Sequence, residues 1–225
     1  MKKNTNFLDR FFKWQRAPKE DAAPPPEKGA ARFFFLLTAN FSKLAVLNLI
    51  FLLFCLPVIT IPAALSGMSR VCALLVREGV CYLWIDFFTE FKSSFFKSVP
   101  IFVAGAVFAS PAFILSCLDS AGQPFILVSI TVFLFIMGLL FSCYAFAMLS
   151  MCSLRLRDIF RNAFFLIFLE PKTDLLLVLF VGMTAAAFLW FLPYTLPLAF
   201  ILFSLVSLIS SAIVFEPIKR RVIAL

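Results

Sequence analysis

Residues 44–69 carry no charged side chain, and the apolar run LAVLNLIFLLFCLPVITIPAALSGMSRVCALLV extends to Val76. In lipid the backbone must satisfy its own hydrogen bonds, so such a run enters the bilayer as helix. Residues 44–65 suffice for one span, at roughly 1.5 Å per residue against a hydrocarbon core of about 30 Å. Pro57 and Pro62 complicate it, because each lacks a backbone donor and disfavours helix at the preceding residue, here Leu56 and Ile61. The pattern allows one kinked span, or two short arms, 44–56 and 62–76, meeting at a bend. Either arm reaches only about 20 Å.

Further apolar runs occupy 98–118, with Pro111 inside, 124–148, 175–192 and 196–215. Together they predict an all-α polytopic bundle of about five spans, or six helices arranged as three hairpins if the first element is broken. Residues 32–225 then form one transmembrane helical domain. Before it, 1–16 place Phe7, Leu8, Phe11 and Phe12 near one helical face, as in an amphipathic helix lying in the cytoplasmic interface, and 17–31 read as a Pro-rich linker. No continuous apolar stretch follows the first basic residues, so a signal peptide is not expected. Segments 82–97 (YLWIDFFTEFKSSFFK) and 158–172 interleave aromatic and charged residues, which suits helices at the headgroup level rather than in the bilayer core.

Charge placement bears on topology. Nine basic residues precede Leu44, four lie within 70–97, four within 155–172 and three at 219–221. Five spans would divide these twenty as eleven against nine. A first element that enters and leaves on one side places all twenty in the cytoplasm, as the positive-inside rule favours. A weak repeat agrees: LPVITIPAAL at 56–65 and LPYTLPLAF at 192–200 each follow an apolar helix led in by an aromatic, basic segment.

Composition then narrows the function. The chain is 63% hydrophobic with mean hydropathy +1.03, which marks a membrane protein. Histidine is absent, removing the commonest general base and metal ligand. The net charge of +8 sits beside apolar runs, where cytoplasmic retention and anionic lipid explain it, so nucleic acid is not an expected partner. Six cysteines show no CxxC spacing and read as small packed hydrophobes. No Walker loop, nucleophile elbow or HExxH motif occurs, so no catalytic residue, cofactor or metal is assigned and no enzymatic activity is expected.

The remaining candidates are structural, partner or solute positions. Asn48 and Thr60 are polar groups in the first element, and a lone Asn in a span usually bonds a neighbouring helix. Arg70 and Arg77 share a helical stripe with Ser66 and Ala73; this suits snorkelling at the cytoplasmic face, with lipid phosphate or an acidic partner as the alternative. A solute site would have to use the broken helices at Pro57/Pro62 and Pro193/Pro197, and with them Asn48, Thr60, Tyr194 and Thr195. Small residues four apart, Ala63/Gly67, Gly105/Ala109, Gly138/Ser142 and Gly182/Ala186, with Ser204, Ser207 and Ser211, are close-packing surfaces for the bundle or for a homo-oligomer.

The segments NLIFLLFCLPVIT at 48–60, Glu78-Gly79, and FFTEFKSSF at 87–95 resemble the YesL-like family of bacterial integral membrane proteins. The similarity is strongest over 33–100 and leaves out 1–31; Pro62 stands where that family usually has glycine. The resemblance implies no catalytic or binding residues. It implies a multi-pass protein of the bacterial cytoplasmic membrane, often encoded beside carbohydrate uptake and utilisation systems. The expected function is an accessory or regulatory subunit beside a transport permease or membrane signalling protein, its C-terminus cytoplasmic. The alternative is a small transporter for a neutral or sugar-like solute.

Overall fold

Each apolar run becomes helix, and the lead-in segments between them do so too. The computed structural model describes residues 30–117, 124–152, 154–190 and 199–223, and no strand occurs among them. Nine α-helices are described: α1 (Ala30–Ala39), α2 (Phe41–Cys55), α3 (Ile61–Glu78), α4 (Leu83–Ser93), α5 (Phe95–Cys117), α6 (Phe125–Met151), α7 (Leu156–Leu169), α8 (Pro171–Trp190) and α9 (Ala199–Ile218). A π-helical turn, Lys219–Ile223, follows the last. The stretches Val58–Glu78, Phe95–Leu115, Phe125–Met151 and Leu202–Val222 are long and apolar enough to cross a membrane; α2 is a shorter apolar helix. The protein is a multi-pass, all-α membrane bundle. The N-terminal amphipathic segment, the connection at 119–123 and the second proline corner at 193–197, with Tyr194 and Thr195, lie outside the described residues.

The first element is broken, and the break falls elsewhere than the proline rules suggest. Leu56 (φ −54°, ψ −48°) and Ile61 (φ −51°, ψ −49°) are both helical, contrary to the expectation for residues before proline. The chain turns instead at Pro57 itself (φ −79°, ψ 114°), followed by a single 3-10 turn, Val58–Thr60. Pro62 does not break anything. It occupies the first turn of α3, where a missing N–H has no helical partner to lose. The open ends of the pair adjoin: a Cβ on Gly79 would lie 3.9 Å from Leu36 Cδ2, and the Lys43 ammonium acts on the Cys81 thiol. Thus α2 and α3 run out and back as an antiparallel pair, with the Pro57 corner at the far end.

Helix α3 is the centre, packed against α2, α4, α5, α6 and α9. Its C-terminus stops at Gly79, whose φ of 75° a side-chain-bearing residue would resist and whose N–H bonds the Leu75 carbonyl. The aromatic face of 82–97, expected to meet the headgroups, is held by protein. Residues 83–93 run against α3, Phe87 is fully buried, and Phe54 meets Phe87, Phe88 and Phe91 at ring-centre distances of 5.1–6.0 Å. Gly67 is the physical reason. A Cβ there would stand 2.9 Å from the Phe87 ring and 3.1 Å from the Phe87 carbonyl oxygen, so only glycine admits α4 this closely.

A second close approach joins α5 and α6. A Cβ on Gly138 would lie 2.6 Å from Phe108 Cβ and 3.2 Å from the Gly105 carbonyl. Pro100 and Pro111 are both accommodated within α5. Amphipathic α7 buries Ile159, Ala163, Leu166 and Ile167, sets Phe160 edge-to-face with Phe141 at a ring-centre distance of 5.2 Å, and leaves Phe164, Phe165 and Phe168 outside. Two apolar clusters result, one around α2, α3 and α4, the other around α6 and α7; Leu65 on α3 packs against both.

Candidate functional site

Of the polar groups singled out in the first element, Thr60 is committed to the corner. The Thr60 hydroxyl faces the Phe54 carbonyl and, at 2.6 Å, the Pro57 carbonyl, so it serves acceptors that the end of α2 leaves without helical donors. Around it the corner is bare: Leu56 and Val58 are each 77% exposed. Asn48 is fully buried, about two turns back along α2, and shares no described hydrogen bond with Thr60.

Arg70 is half-buried and engaged by protein. Its Nη1 donates to the carbonyl of Ser150 in the last turn of α6, while Ser69 Oγ stands 3.5 Å from Ser150 Oγ. A cation at a helix C-terminus both satisfies an orphan acceptor and opposes the helix dipole. Arg77, seven residues on, is exposed and pairs with Glu78 at 3.6 Å. The two arginines therefore have separate roles.

Two acidic positions escaped the reading of the sequence. Glu170 and Asp174 flank the start of α8, which begins at Pro171 rather than at 175. Glu170 is bonded by Arg220 and, at 3.3 Å, by Arg221, tying the C-terminal turn to the α7–α8 junction. The Arg220 hydrogen bond holds the Glu170 carboxyl below its ordinary range, with Arg221 adding to it and desolvation opposing. Asp174 is buried and accepts the Tyr144 hydroxyl at 2.7 Å. Burial pushes its carboxyl upward; the Tyr144 hydrogen bond opposes this and the Glu170 charge adds to it. Acidic residues flanking a proline are a helix-start signal, and that signal could have placed both at the entry to α8. On α4, Glu90 accepts from Ser94 and, at 3.2 Å, from Ser66 of α3.

A cleft of ≈ 660 Å³ opens between α3, α5, α6, α8 and α9. Its walls are mainly apolar, including Met68, Phe102, Phe135 and Phe146. Of the hydroxyls that reach it, Ser142 donates back to Gly138 O and Thr184 to Phe180 O, each at 2.8 Å. The small-residue pairs also separate here. Gly105 and Gly138 are used between α5 and α6 and Ser204 is buried, whereas a Cβ on Gly182 would meet nothing within 4 Å. Among the described residues no group of His, Cys, Asp and Glu could hold a metal ion.

Residues 44–116, from early α2 to the end of α5, match the family described as "Protein of unknown function, DUF624". No curated protein and no solved structure matches the chain.

Proposed function

We propose that this chain is a non-enzymatic accessory or regulatory subunit of the bacterial cytoplasmic membrane, with its C-terminus in the cytoplasm, acting beside a transport permease or membrane signalling protein. The observation that carries the reading is the commitment of its polar side chains. Thr60, Arg70, Glu90, Glu170 and Asp174 each hold one part of the chain to another. A carrier keeps such groups for its solute, at broken helices near the midplane. The placement beside carbohydrate uptake or utilisation rests on the YesL-like resemblance alone.

The runner-up, a small transporter for a neutral or sugar-like solute, draws on the cleft, whose ≈ 660 Å³ falls within the common range for small-molecule sites. Its walls are mainly apolar, and two of its six hydroxyls, Ser142 and Thr184, bond back to their own helices. Purified protein in liposomes is expected to move no sugar, and affinity purification from native membranes to recover a permease or signalling protein. Saturable sugar uptake by the protein alone, lost in the Asn48→Ala, Thr60→Ala variant while that variant still folds, would overturn the ranking.

A further inference from the structure

A second cavity, of ≈ 470 Å³, lies where α3, α6 and α9 end together. Two cations line it, Arg77 from the last turn of α3 and Lys219 from the turn after α9, beside apolar Met151, Leu154, Phe215 and Val222. Cations at helix C-termini ordinarily answer the exposed carbonyls. At the ends of α3 and α6 some of those carbonyls have other donors as well: Gly79 N–H bonds Leu75 O, Cys152 N–H bonds Met148 O, and Arg70 takes Ser150 O. The Arg77–Glu78 pair is exposed on both sides, and such pairs contribute little. Two positive charges against an apolar wall, at the basic end of a membrane bundle, match the chemistry of an anionic amphiphile.

We propose that this cavity seats the headgroup of an anionic phospholipid, its phosphate between Arg77 and Lys219 and the start of its acyl chains along Phe215 and Met151. The apolar wall is what separates a lipid from free phosphate, which would leave that surface unmatched.

The test uses the full chain in nanodiscs of phosphatidylcholine with a rising fraction of phosphatidylglycerol, with lipid retention read by native mass spectrometry. Wild type should retain phosphatidylglycerol over phosphatidylcholine, and Arg77→Gln with Lys219→Gln should lower that preference about tenfold or more. Arg157→Gln with Arg161→Gln removes the same charge from α7 and should leave it unchanged. Equal loss in both double variants would reduce the effect to general surface charge and overturn the proposal. So would retention unaltered by the first pair, or half-saturation by inorganic phosphate at the same concentration as by lipid. Should the Arg77, Lys219 variant not fold, wild type still decides: Cys152 lines the cavity, and its alkylation, followed peptide by peptide, should slow as phosphatidylglycerol replaces phosphatidylcholine. Alkylation indifferent to lipid composition would overturn the proposal.

Discussion

At the scale of single residues, hydrogen bonding decides which polar groups are structural. Thr60 faces two carbonyls at the corner, so Thr60→Val should cost about 1–2 kcal/mol while Thr60→Ser retains most of the stability. Thermal unfolding in detergent measures both, and equal behaviour of the two variants would remove the hydroxyl from the account. Glu170 makes a pH prediction with a definite sign. Its folded pKa lies below the unfolded value, so its stabilisation is present above the ordinary glutamate range, about 4.3, and is lost as pH falls through the folded value. Asp174 is shifted the other way, and what it contributes is lost as pH rises. Acidification should therefore weaken wild type through Glu170, while Glu170→Gln should start less stable at pH 7 and lose less between about pH 5 and 3. A Glu170→Gln curve parallel to wild type would mean the Arg220 contact is not the source. The sequence displayed Thr60 and Arg70 as polar exceptions in an apolar run. It could not show that Arg70 would meet Ser150, 80 positions away, because nothing local records that pairing.

At the scale of elements, hydrophobic periodicity located the apolar helices within a few residues but was blind to what an amphipathic segment packs on. Residues 82–97 have the composition of an interfacial helix, and α4 nonetheless buries Phe87 in protein, because a glycine twenty positions earlier removes the obstructing Cβ. Small-residue spacing was similarly ambiguous, since it marked four surfaces without saying which ones the chain itself would consume. The structure separates them energetically. Gly138→Ala must push α5 and α6 apart and should cost about 1–3 kcal/mol. Gly182→Ala meets open space in a helix interior and should be neutral or stabilising by up to about 1 kcal/mol. Equal unfolding temperatures for the two would contradict the close approach at Gly138. The Pro57 corner was legible as a break, but Pro62 was misjudged because its position within the first helical turn depends on where the break ends.

At the scale of the whole molecule, the antiparallel α2–α3 pair brings Leu36 to Gly79 and Lys43 towards Cys81, so both ends of the first element face one side. Tags at the two termini should both be cleaved in inverted vesicles and be protected in intact cells; labelling of the N-terminal tag from outside would contradict the pair. The native Cys72 and Cys81 are unsuitable reporters of sidedness. Both are buried, and burial pushes the Cys81 thiol up to about 12, leaving little thiolate at neutral pH. Exposed Arg155 or Lys172, replaced by cysteine in a cysteine-free background, would serve instead. The pairing of α2 with α3 and of α5 with α6 was within reach of the sequence; the count was not, since five spans or six helices were expected and nine α-helices are described. The radial order, with α3 innermost, was not, because it depends on contacts between helices made far apart in the chain.

That radial order also runs against the direction of synthesis. Helix α3 is among the first made, yet one of its principal walls is α9, the last described helix, which brings Leu208 into the cluster around Leu44, Cys72 and Phe87. At about 5–20 residues per second, the interval between emergence of the two is on the order of 10 s. Throughout that time the oldest part of the bundle has one side open to whatever surrounds it. Insertion machinery, a chaperone or lipid must occupy the place until the C-terminal helix arrives. A chain stopped before α9 thus lacks more than its end: it leaves the centre of the molecule uncovered, and quality control would meet the damage at the first hairpin.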